Sequence, residues 1–431
     1  MNLSNITFYK RHNLELERYL HSESSIHIIN KISKNKIKED ISKKVYIDMN
    51  NTNQNIDIGT DKYETIILTD ILESSNDIYE IISILKKSLK KNGKLIVTSV
   101  NTKYFTISKI LDKLNLKDKN YIYSDTNNKK IKSIASGLGF ELVSSTSKQI
   151  FPFRLLGIGN IINKILELFL FRFSFGIKTY SVFRLISQEN LSLSKTIIIP
   201  AKNEEGNLNE LINRIPKFKN CQVIICCGVS KDKTYELAKE IATFNKDFRF
   251  KVFMQTGQGK ANAVWDSLKV SSGEIIAILD ADISVDPEEL EHFFDIIEKN
   301  HADFVNGTRL IYEMEKGSMR FINKLGNRLF QFLISQVIKT NLTDSLCGTK
   351  VFKKNLVKKI FWWQETFQLY DPFGDFDLLF AASYTGQKIL EYPIHYKARK
   401  YGKTQISRFR DGYKLIKYFF KSFIVFNASR I

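Results

Sequence analysis

The run Ile275-Ile276-Ala277-Ile278-Leu279-Asp280-Ala281-Asp282 is the most informative stretch of this sequence. Five successive apolar residues predict a buried strand, and two carboxylates follow directly where that strand ends. Ligands of open α/β sheets bind at the carboxyl ends of the strands. Asp280 and Asp282 could hold a divalent cation there, Mg²⁺ or Mn²⁺, and such a cation can bridge a diphosphate. A solvated turn is the alternative, because Asp-x-Asp alone is a weak motif.

Strand-like and amphipathic helical stretches alternate on both sides of this run, which predicts an α/β fold with parallel, helix-covered sheets. The chain has 431 residues, enough for two cores. A polar, serine-rich linker at 187–194 separates predicted domains at 1–186 and 195–405, and a helical segment follows at 406–431. The predicted strands of the first domain are SIHII, KKVYIDM, YETIILT, KLIVTSV, FELVSST and KTYSVFRLI. Those of the second domain are KTIIIPA, QVIICC, RFKVFMQ, EIIAILDAD and DFVNGTR.

Two helices have specific boundary signals. Residues 76–91 carry apolar side chains on one face and run into Asn92-Gly93, which predicts the end of that helix. Asp286-Pro287-Glu288-Glu289 combines an Asp N-cap, a Pro in the first turn and a Glu three residues after the cap. This pattern predicts a capped helix start.

Charge and composition limit the class of protein. The net charge of +19 is spread over both halves and favours anionic partners. No recognised nucleic-acid-binding motif accompanies it, so we predict no nucleic-acid partner. The four cysteines have no zinc-ligand spacing and are typical of reduced thiols. Neither a signal peptide nor a membrane-spanning segment is expected, since the most apolar window, 157–177, contains three charged residues.

Five ordered motifs in the second domain resemble those of family-two glycosyltransferases, which have the GT-A fold. The Asp-x-Asp pair is one of them, and the other four are Pro200-Ala201-Lys202-Asn203-Glu204-Glu205-Gly206-Asn207, Gly228-Val229-Ser230-Lys231-Asp232-Lys233-Thr234, Asn306-Gly307-Thr308-Arg309 and Arg399-Lys400-Tyr401-Gly402-Lys403-Thr404. The resemblance covers most of residues 195–410. Within the family the chain looks most like dolichol-phosphate mannosyltransferases and their bacterial polyprenyl-phosphate relatives.

The resemblance implies a role for each matching residue. The nucleotide-sugar site would consist of Pro200, Lys202, Glu204, Cys227, Asp280, Ala281, Asp282, Arg309 and Arg399. Within it, Asp280 and Asp282 would hold the metal, while Arg309 and Arg399 would contact the diphosphate or an acceptor phosphate. Family members usually carry an acid where Cys227 stands and a lysine where Gln405 stands.

The acceptor side of the predicted site contains Asp375 and Asp377, which with Arg309 are the candidate catalytic residues. If the acceptor is a sugar hydroxyl, one of the two aspartates must serve as general base. A polyprenyl phosphate is already ionised and needs little base help. The sequence therefore predicts transfer of a hexose from a nucleoside diphosphate sugar to a polyprenyl phosphate, metal-dependent and inverting. A glycan hydroxyl in surface polysaccharide synthesis is the second acceptor, and a non-catalytic scaffold is the alternative of another class.

The first domain resembles S-adenosylmethionine-dependent methyltransferases with a Rossmann-type sheet. The likeness rests on 61–73 and on the turn Leu89-Lys90-Lys91-Asn92-Gly93. The segment after the first strand, 28–36, contains no glycine, although a cofactor loop there needs one for close backbone approach. We therefore expect an inactive domain that binds no S-adenosylmethionine.

The last predicted helix suggests a place for the protein in the cell. Residues 407–426 interleave aromatic and apolar side chains with Arg and Lys, a pattern that fits an anionic membrane interface or docking on the parent domain. We expect a cytoplasmic protein that is peripheral at the inner face of the cell membrane.

Overall fold

The computed structural model describes residues 12, 15–19, 24–30, 43–47, 61–69, 71, 77–101, 128–151, 158–170, 175–186, 192–311, 321–338, 340, 342–368, 371, 373–397, 401 and 408–427. The chain divides into two units, one formed by Met1–Ser187 with Ile424–Ile431 and the other by Gln188–Phe423. No helix among the described residues combines the length and the apolar composition needed to cross a membrane.

The first unit is built on a six-stranded sheet in the order β2-β1-β3-β4-β6-β5. Its strands are β1 (Ser25–Asn30), β2 (Lys43–Ile47), β3 (Tyr63–Thr69), β4 (Leu89–Val100), β5 (Phe140–Lys148) and β6 (Lys178–Leu185). Its described helices are α1 (Ile78–Lys87), α2 (Asn128–Gly137) and α3 (Ile158–Leu170). The six predicted strands of this half are confirmed. The sheet is mixed, not parallel as predicted, because β6 pairs antiparallel with β4 and β5.

Helix α1 is shorter than the sequence pattern predicts. It begins after Asp77, whose Oδ1 accepts a hydrogen bond from the Glu80 backbone N–H at 2.8 Å. It ends at Lys87, and β4 already begins at Leu89. Asn92-Gly93 therefore lies within a strand, where Asn92 adopts a φ of 63°.

The second unit is built on a seven-stranded sheet in the order β13-β11-β12-β10-β7-β8-β9. Its strands are β7 (Lys195–Ala201), β8 (Cys221–Cys227), β9 (Arg249–Met254), β10 (Ile275–Ile278), β11 (Phe304–Thr308), β12 (Lys350–Lys353) and β13 (Ile389–Pro393). Strands β7 to β11 are confirmed, whereas the sequence pattern missed β12 and β13. The prediction of a parallel sheet is wrong here too, since β12 runs antiparallel to β10 and β11.

Helices connect the strands of this sheet and pack against it. They are α4 (Glu205–Arg214), α5 (Thr234–Phe244), α6 (Gly259–Val270), α7 (Leu290–Glu298), α8 (Phe321–Ile338), α9 (Leu356–Phe367), α10 (Asp375–Tyr384) and α11 (Arg408–Asn427). The core between helices and sheet includes Ile197, Leu211, Ile225, Ala277 and Phe293, all with at most traces of exposed surface.

The predicted capped start at Asp286 takes a different form. Residues Pro287–Glu289 form a 3₁₀ turn before α7, and the Asp286 side chain makes no capping bond. Its carboxylate instead pairs with Arg214 and with Lys397, the latter at 2.8 Å. Two long-range ion pairs have replaced the local hydrogen bond that the pattern predicts.

Candidate active site

The strand order reverses between β7 and β10, and this point positions the candidate site. From β7 the chain continues outward to β8 and β9, and it then returns to place β10 on the other side of β7. Ile278 of β10 pairs with Ile198 of β7, and the Leu279 N–H donates to the Ile198 carbonyl at 2.9 Å. Open α/β sheets bind ligands at such a reversal, outside the carboxyl ends of the strands. Asp280 and Asp282 follow β10 directly at this edge.

Asp280 forms an ion pair with a lysine that the sequence pattern did not connect to it. Lys260 Nζ, at the first turn of α6, lies 2.6 Å from Asp280 Oδ1. Both side chains keep some exposed surface, 25% for Lys260 and 31% for Asp280. Partial burial disfavours the ammonium, but the carboxylates of Asp280, Asp375 and Asp282 outweigh it and raise the pKa of Lys260. Lys260 is therefore the positive centre of the candidate site.

Gly348 leaves the space that this ion pair fills. A Cβ added at Gly348 would lie 2.0 Å from Asp280 Oδ2 and 2.6 Å from Lys260 Nζ. Real Cβ atoms do not approach other atoms so closely, so any larger residue would displace the carboxylate or the ammonium. Gly348 thus belongs to the site, although no local sequence signal marks it.

Asp282 is held by a strained turn. Its side chain is almost completely buried, and its Oδ1 accepts a hydrogen bond from the Ser284 backbone N–H at 3.0 Å. Between them Ile283 adopts a φ of 52°, in the left-handed region that β-branched residues avoid. Such strain costs about 1–3 kcal/mol and concentrates at functional sites. The turn holds Asp282 near Asp280 at the end of β10.

These two carboxylates fit a divalent cation as a partial ligand set. Carboxylate oxygens suit Mg²⁺ and Mn²⁺, and Gly348 keeps the backbone close to Asp280 without a side chain in the way. No group of three or more His, Cys, Asp or Glu residues able to hold a metal occurs among the described residues. The remaining ligands would have to come from a bound diphosphate or from water.

Asp375 lies on the same side of the unit as Lys260. It begins α10, after Gly374, which adopts a φ of 81° and packs against Trp265 and Ala261 of α6. Lys350 Nζ lies 3.5 Å from Asp375 Oδ1 and also donates to Asn306 Oδ1 at 3.1 Å. The Lys350 side chain has no exposed surface. Asp375 therefore forms an ion pair with the buried Lys350 and also interacts electrostatically with Lys260.

Asp377 faces the interior instead. It has no exposed surface and accepts hydrogen bonds from Trp363 Nε1 at 3.2 Å, Gln364 Nε2 at 2.9 Å and the Asp371 N–H at 3.2 Å, and also from the Tyr418 hydroxyl. Burial raises the pKa of Asp377 despite these donors. Burial, together with Asp377 and Asp375, raises the pKa of Asp371 to about 7. Asp375 keeps 10% of its side-chain surface exposed, whereas Asp377 keeps none, so Asp375 is the better candidate to meet an acceptor.

Arg309 is engaged by a carboxylate that the sequence analysis missed. Its Nε and Nη2 donate to the two oxygens of Asp344 at 2.6 and 2.9 Å, and its guanidinium lies 5.1 Å from the centre of the Tyr396 ring. Burial disfavours the cation, but Asp344 outweighs it and raises the pKa of Arg309 further. Asn327 also donates to Asp344, at 2.7 Å. A two-pronged pair of this kind fixes the direction of the guanidinium.

The predicted nucleotide loops after β7 and β8 are joined by hydrogen bonds. The Asn203 N–H donates to Ser230 Oγ at 3.1 Å, and Asn203 Oδ1 accepts from the Lys231 N–H at 2.7 Å. The Glu204 N–H donates to Thr234 Oγ1 at 2.9 Å. Lys202 is exposed at the start of the loop after β7, whereas Pro200 is half-buried and Ala201 and Ala281 are buried. Hydrogen bonds thus hold the two loops together at the carboxyl ends of β7 and β8.

Two predicted positions need separate mention. Cys227 lies in the hydrophobic core with no exposed surface, and burial raises the pKa of its thiol to about 12. The Cys227 side chain is therefore not accessible to a ligand at the ends of the strands. Arg399 lies outside the described residues, as does Gln405. Two residues from Arg399, Tyr401 packs on α4, where a Cβ added at Gly206 would lie 2.7 Å from its ring.

Comparison with known proteins shows a family likeness within the second unit. Residues 196–361 match the model of Glycosyl transferase family 2. Two relatives come from Haloferax volcanii: a low-salt glycan biosynthesis hexosyltransferase, Agl6, and a dolichyl-phosphate hexose transferase. Agl6 is 24% identical over 54% of this chain and 55% of its own length, and the second is 25% identical over 50% and 88%. A dolichol-phosphate mannosyltransferase from Pyrococcus furiosus is 26% identical over 52% of this chain and 64% of its own length. The chain therefore spans little more than half of the Agl6 relative.

Proposed function

We propose that this glycosyltransferase transfers a hexose from a nucleoside diphosphate sugar to a polyprenyl phosphate, through a GT-A domain and with inversion at the anomeric carbon. The observation that carries the proposal is the placing of Asp280 and Asp282 at the strand reversal, with Lys260 and Asp375 beside them. Carboxylates can bind the metal ion of a metal-bound diphosphate. An accessible ammonium can stabilise the negative charge that develops on the diphosphate as it leaves. The polyprenyl-phosphate part of the proposal is supported by the names of the relatives.

The donor would lie along the ends of β7 and β10. Pro200, Lys202 and Glu204 would border the nucleotide, and hydrogen bonds fix the loop that carries Lys202 and Glu204 to the loop after β8. Asp280 and Asp282 would hold one divalent cation, whose positive charge would stabilise the leaving diphosphate. Lys260, which lies beside Asp280, and the exposed Lys202 would offer further donors to the phosphates.

The acceptor would approach Asp375. A phosphate oxygen is already ionised, so it can attack the anomeric carbon without losing a proton to a base. Arg309, fixed by Asp344, and Arg399 would then orient the acceptor phosphate. Asp377, in the same first turn of α10 as Asp375, would help to fix that turn through its buried hydrogen bonds.

A peripheral position at an anionic membrane would bring the enzyme to such an acceptor. On α11 the side chains of Tyr413, Ile416, Phe420 and Ile424 are exposed at helical spacing. Lys414, Lys417 and Lys421 are exposed beside them. An apolar stripe flanked by lysines matches an interfacial helix, and the charge of +19 favours the anionic inner face.

The test of the acceptor uses purified protein, Mn²⁺, radiolabelled UDP and GDP hexoses, and vesicles containing undecaprenyl phosphate. We expect a lipid-extractable, acid-labile glycosyl phosphate. Asp375→Asn should keep appreciable activity, because an ionised phosphate requires no base. Label that stays in the water phase would contradict a lipid acceptor.

Transfer to a glycan hydroxyl is the second candidate, and the position of Asp375 favours it. A hydroxyl acceptor needs a base, and Asp375 is the carboxylate that stands near Lys260 at the edge of the site. In that case Asp375→Asn would abolish transfer while the fold stays intact. The same assay therefore separates the two acceptors.

A further inference from the structure

Lys260 places a positive charge directly beside the carboxylates of the candidate metal site. Its ammonium lies 2.6 Å from Asp280, and the negative charges of Asp375 and Asp282 also act on it. It stands at the first turn of a twelve-residue helix, α6, whose N-terminal end attracts anions. Positive charge from the side chain and from the helix thus coincide beside the carboxylates proposed for metal binding.

A comparison with Lys350 shows why Lys260 can act on a ligand. Lys350 is fully buried and bound to Asn306, Asp375 and the carbonyl of Cys347, so it is a fixed structural charge. A quarter of the Lys260 side chain is exposed, and the side chain is long and flexible. An incoming diphosphate can reach Lys260 but not Lys350.

The ion pair between Lys260 and Asp280 weakens the binding of a divalent cation to Asp280. A metal ion bound to Asp280 would stand next to an ammonium only a few ångströms away, and like charges repel. Gly348 closes one side of the pair, because no space for even a methyl group remains there. The ammonium must therefore move before Asp280 can take up a metal with full strength.

We infer that Lys260 exchanges partners during donor binding: it neutralises Asp280 in the empty site and binds a diphosphate oxygen in the loaded site, which releases Asp280 to the divalent cation. This inference rests on the function proposed above. It has a consequence for the order of binding. Metal alone should bind weakly, and metal and nucleoside diphosphate should each strengthen the binding of the other by the same factor.

The experiment measures binding, not turnover. Mn²⁺ alone is titrated by electron paramagnetic resonance into wild type, Lys260→Met and Lys269→Met, and UDP and GDP are then titrated by calorimetry with Mn²⁺ present. Lys269 is the matched control, since it lies on the same helix and pairs with Asp266 at 3.2 Å. Lys260→Arg, which keeps the charge, provides a second variant if the methionine variant fails to fold.

We expect Mn²⁺ alone to bind about tenfold more tightly to Lys260→Met than to wild type, because the competing charge is gone. The nucleoside diphosphate should bind roughly 10- to 100-fold more weakly, the usual effect of losing one charge-assisted contact. Lys269→Met should match wild type, and Lys260→Arg should keep the weak binding of Mn²⁺ alone. Unchanged or weaker Mn²⁺ binding by Lys260→Met, or unchanged nucleotide binding, would overturn the inference. If wild type binds neither UDP nor GDP, the proposed function itself fails, and the inference fails with it.

Discussion

Single residues set the electrostatics of the candidate site by contacts that lie far apart in the sequence. Gly348, Lys260 and Asp280 come from three separate segments of the chain, yet a methyl group at Gly348 would overlap both charged partners. Ile283 holds a left-handed conformation next to Asp282. Each of these features constrains a carboxylate directly, so each can be tested by one substitution.

The first prediction at this scale concerns Asp282. Asp282→Asn keeps the shape of a nearly buried side chain but removes its charge, and with it a proposed metal ligand. We expect hexose transfer to fall by about 100-fold or more, a usual loss for a group that stabilises a developing charge. Thermal unfolding should change little, and Asp295→Asn, on the exposed face of α7, is the matched control. Full activity in Asp282→Asn, or activity that persists in a chelator, would remove the metal from the proposal.

Gly348→Ala is the second prediction. The added methyl would meet the Asp280 carboxylate and the Lys260 ammonium, which are the ends of flexible side chains and can move aside. Stability should therefore stay within about 1 kcal/mol, whereas donor binding should weaken roughly tenfold because the charged groups are displaced. Calorimetry with UDP or GDP and thermal unfolding measure the two effects. If the loss of folding free energy were as large as the loss of binding free energy, Gly348 would have a purely structural role.

At the scale of elements, α11 connects the exposed surface with the acceptor side of the site. Its outer face carries the apolar and lysine side chains described above, and its inner face buries Leu415, Tyr418 and Phe419. The Tyr418 hydroxyl binds Asp377, which stands two residues after Asp375 on α10. A helix that reaches both a surface and a buried carboxylate can transmit a change in position between them.

The third prediction tests this connection. Tyr418→Phe leaves the ring in place but removes one donor from the buried Asp377 carboxylate. The free energy of unfolding should fall by about 1.5–3 kcal/mol, the usual contribution of one hydrogen bond to a carboxylate, while Trp363 Nε1 still donates to the same oxygen. Transfer to a polyprenyl phosphate should change little, because Asp375, which shares the first turn of α10 with Asp377, is not needed as a base for an ionised acceptor. Tyr413→Phe, on the exposed face of α11, is the control and should change neither quantity. A Tyr418→Phe variant as stable as wild type would argue that the contact contributes nothing.

At the scale of the whole molecule, sequence patterns predicted the elements better than their partners. Strand patterns located β1 to β11, and the position of Asp280 after β10 followed from them. The antiparallel β12 escaped because four residues, two of them lysines, carry no strand signal. The contacts of Asp344, Lys260 and Tyr418 were not predicted, because their partners lie between 20 and 41 residues away. Local patterns contain no information about such pairs until the chain is folded.

The last prediction concerns the first unit as part of the intact chain. The expected cofactor segment, 31–36, lies outside the described residues, but its sequence contains no glycine that would let the backbone approach a bulky cofactor. At the strands themselves, His27 donates or accepts a hydrogen bond at 2.8 Å to Thr69, and both side chains are fully buried. The polar side chains of His27 in β1 and Thr69 in β3 thus bond to each other inside the protein. We expect calorimetry with the full-length protein to detect no binding of S-adenosylmethionine, while UDP or GDP binds the same preparation. Binding of S-adenosylmethionine at micromolar concentrations would contradict this expectation and would make the protein a candidate for two activities.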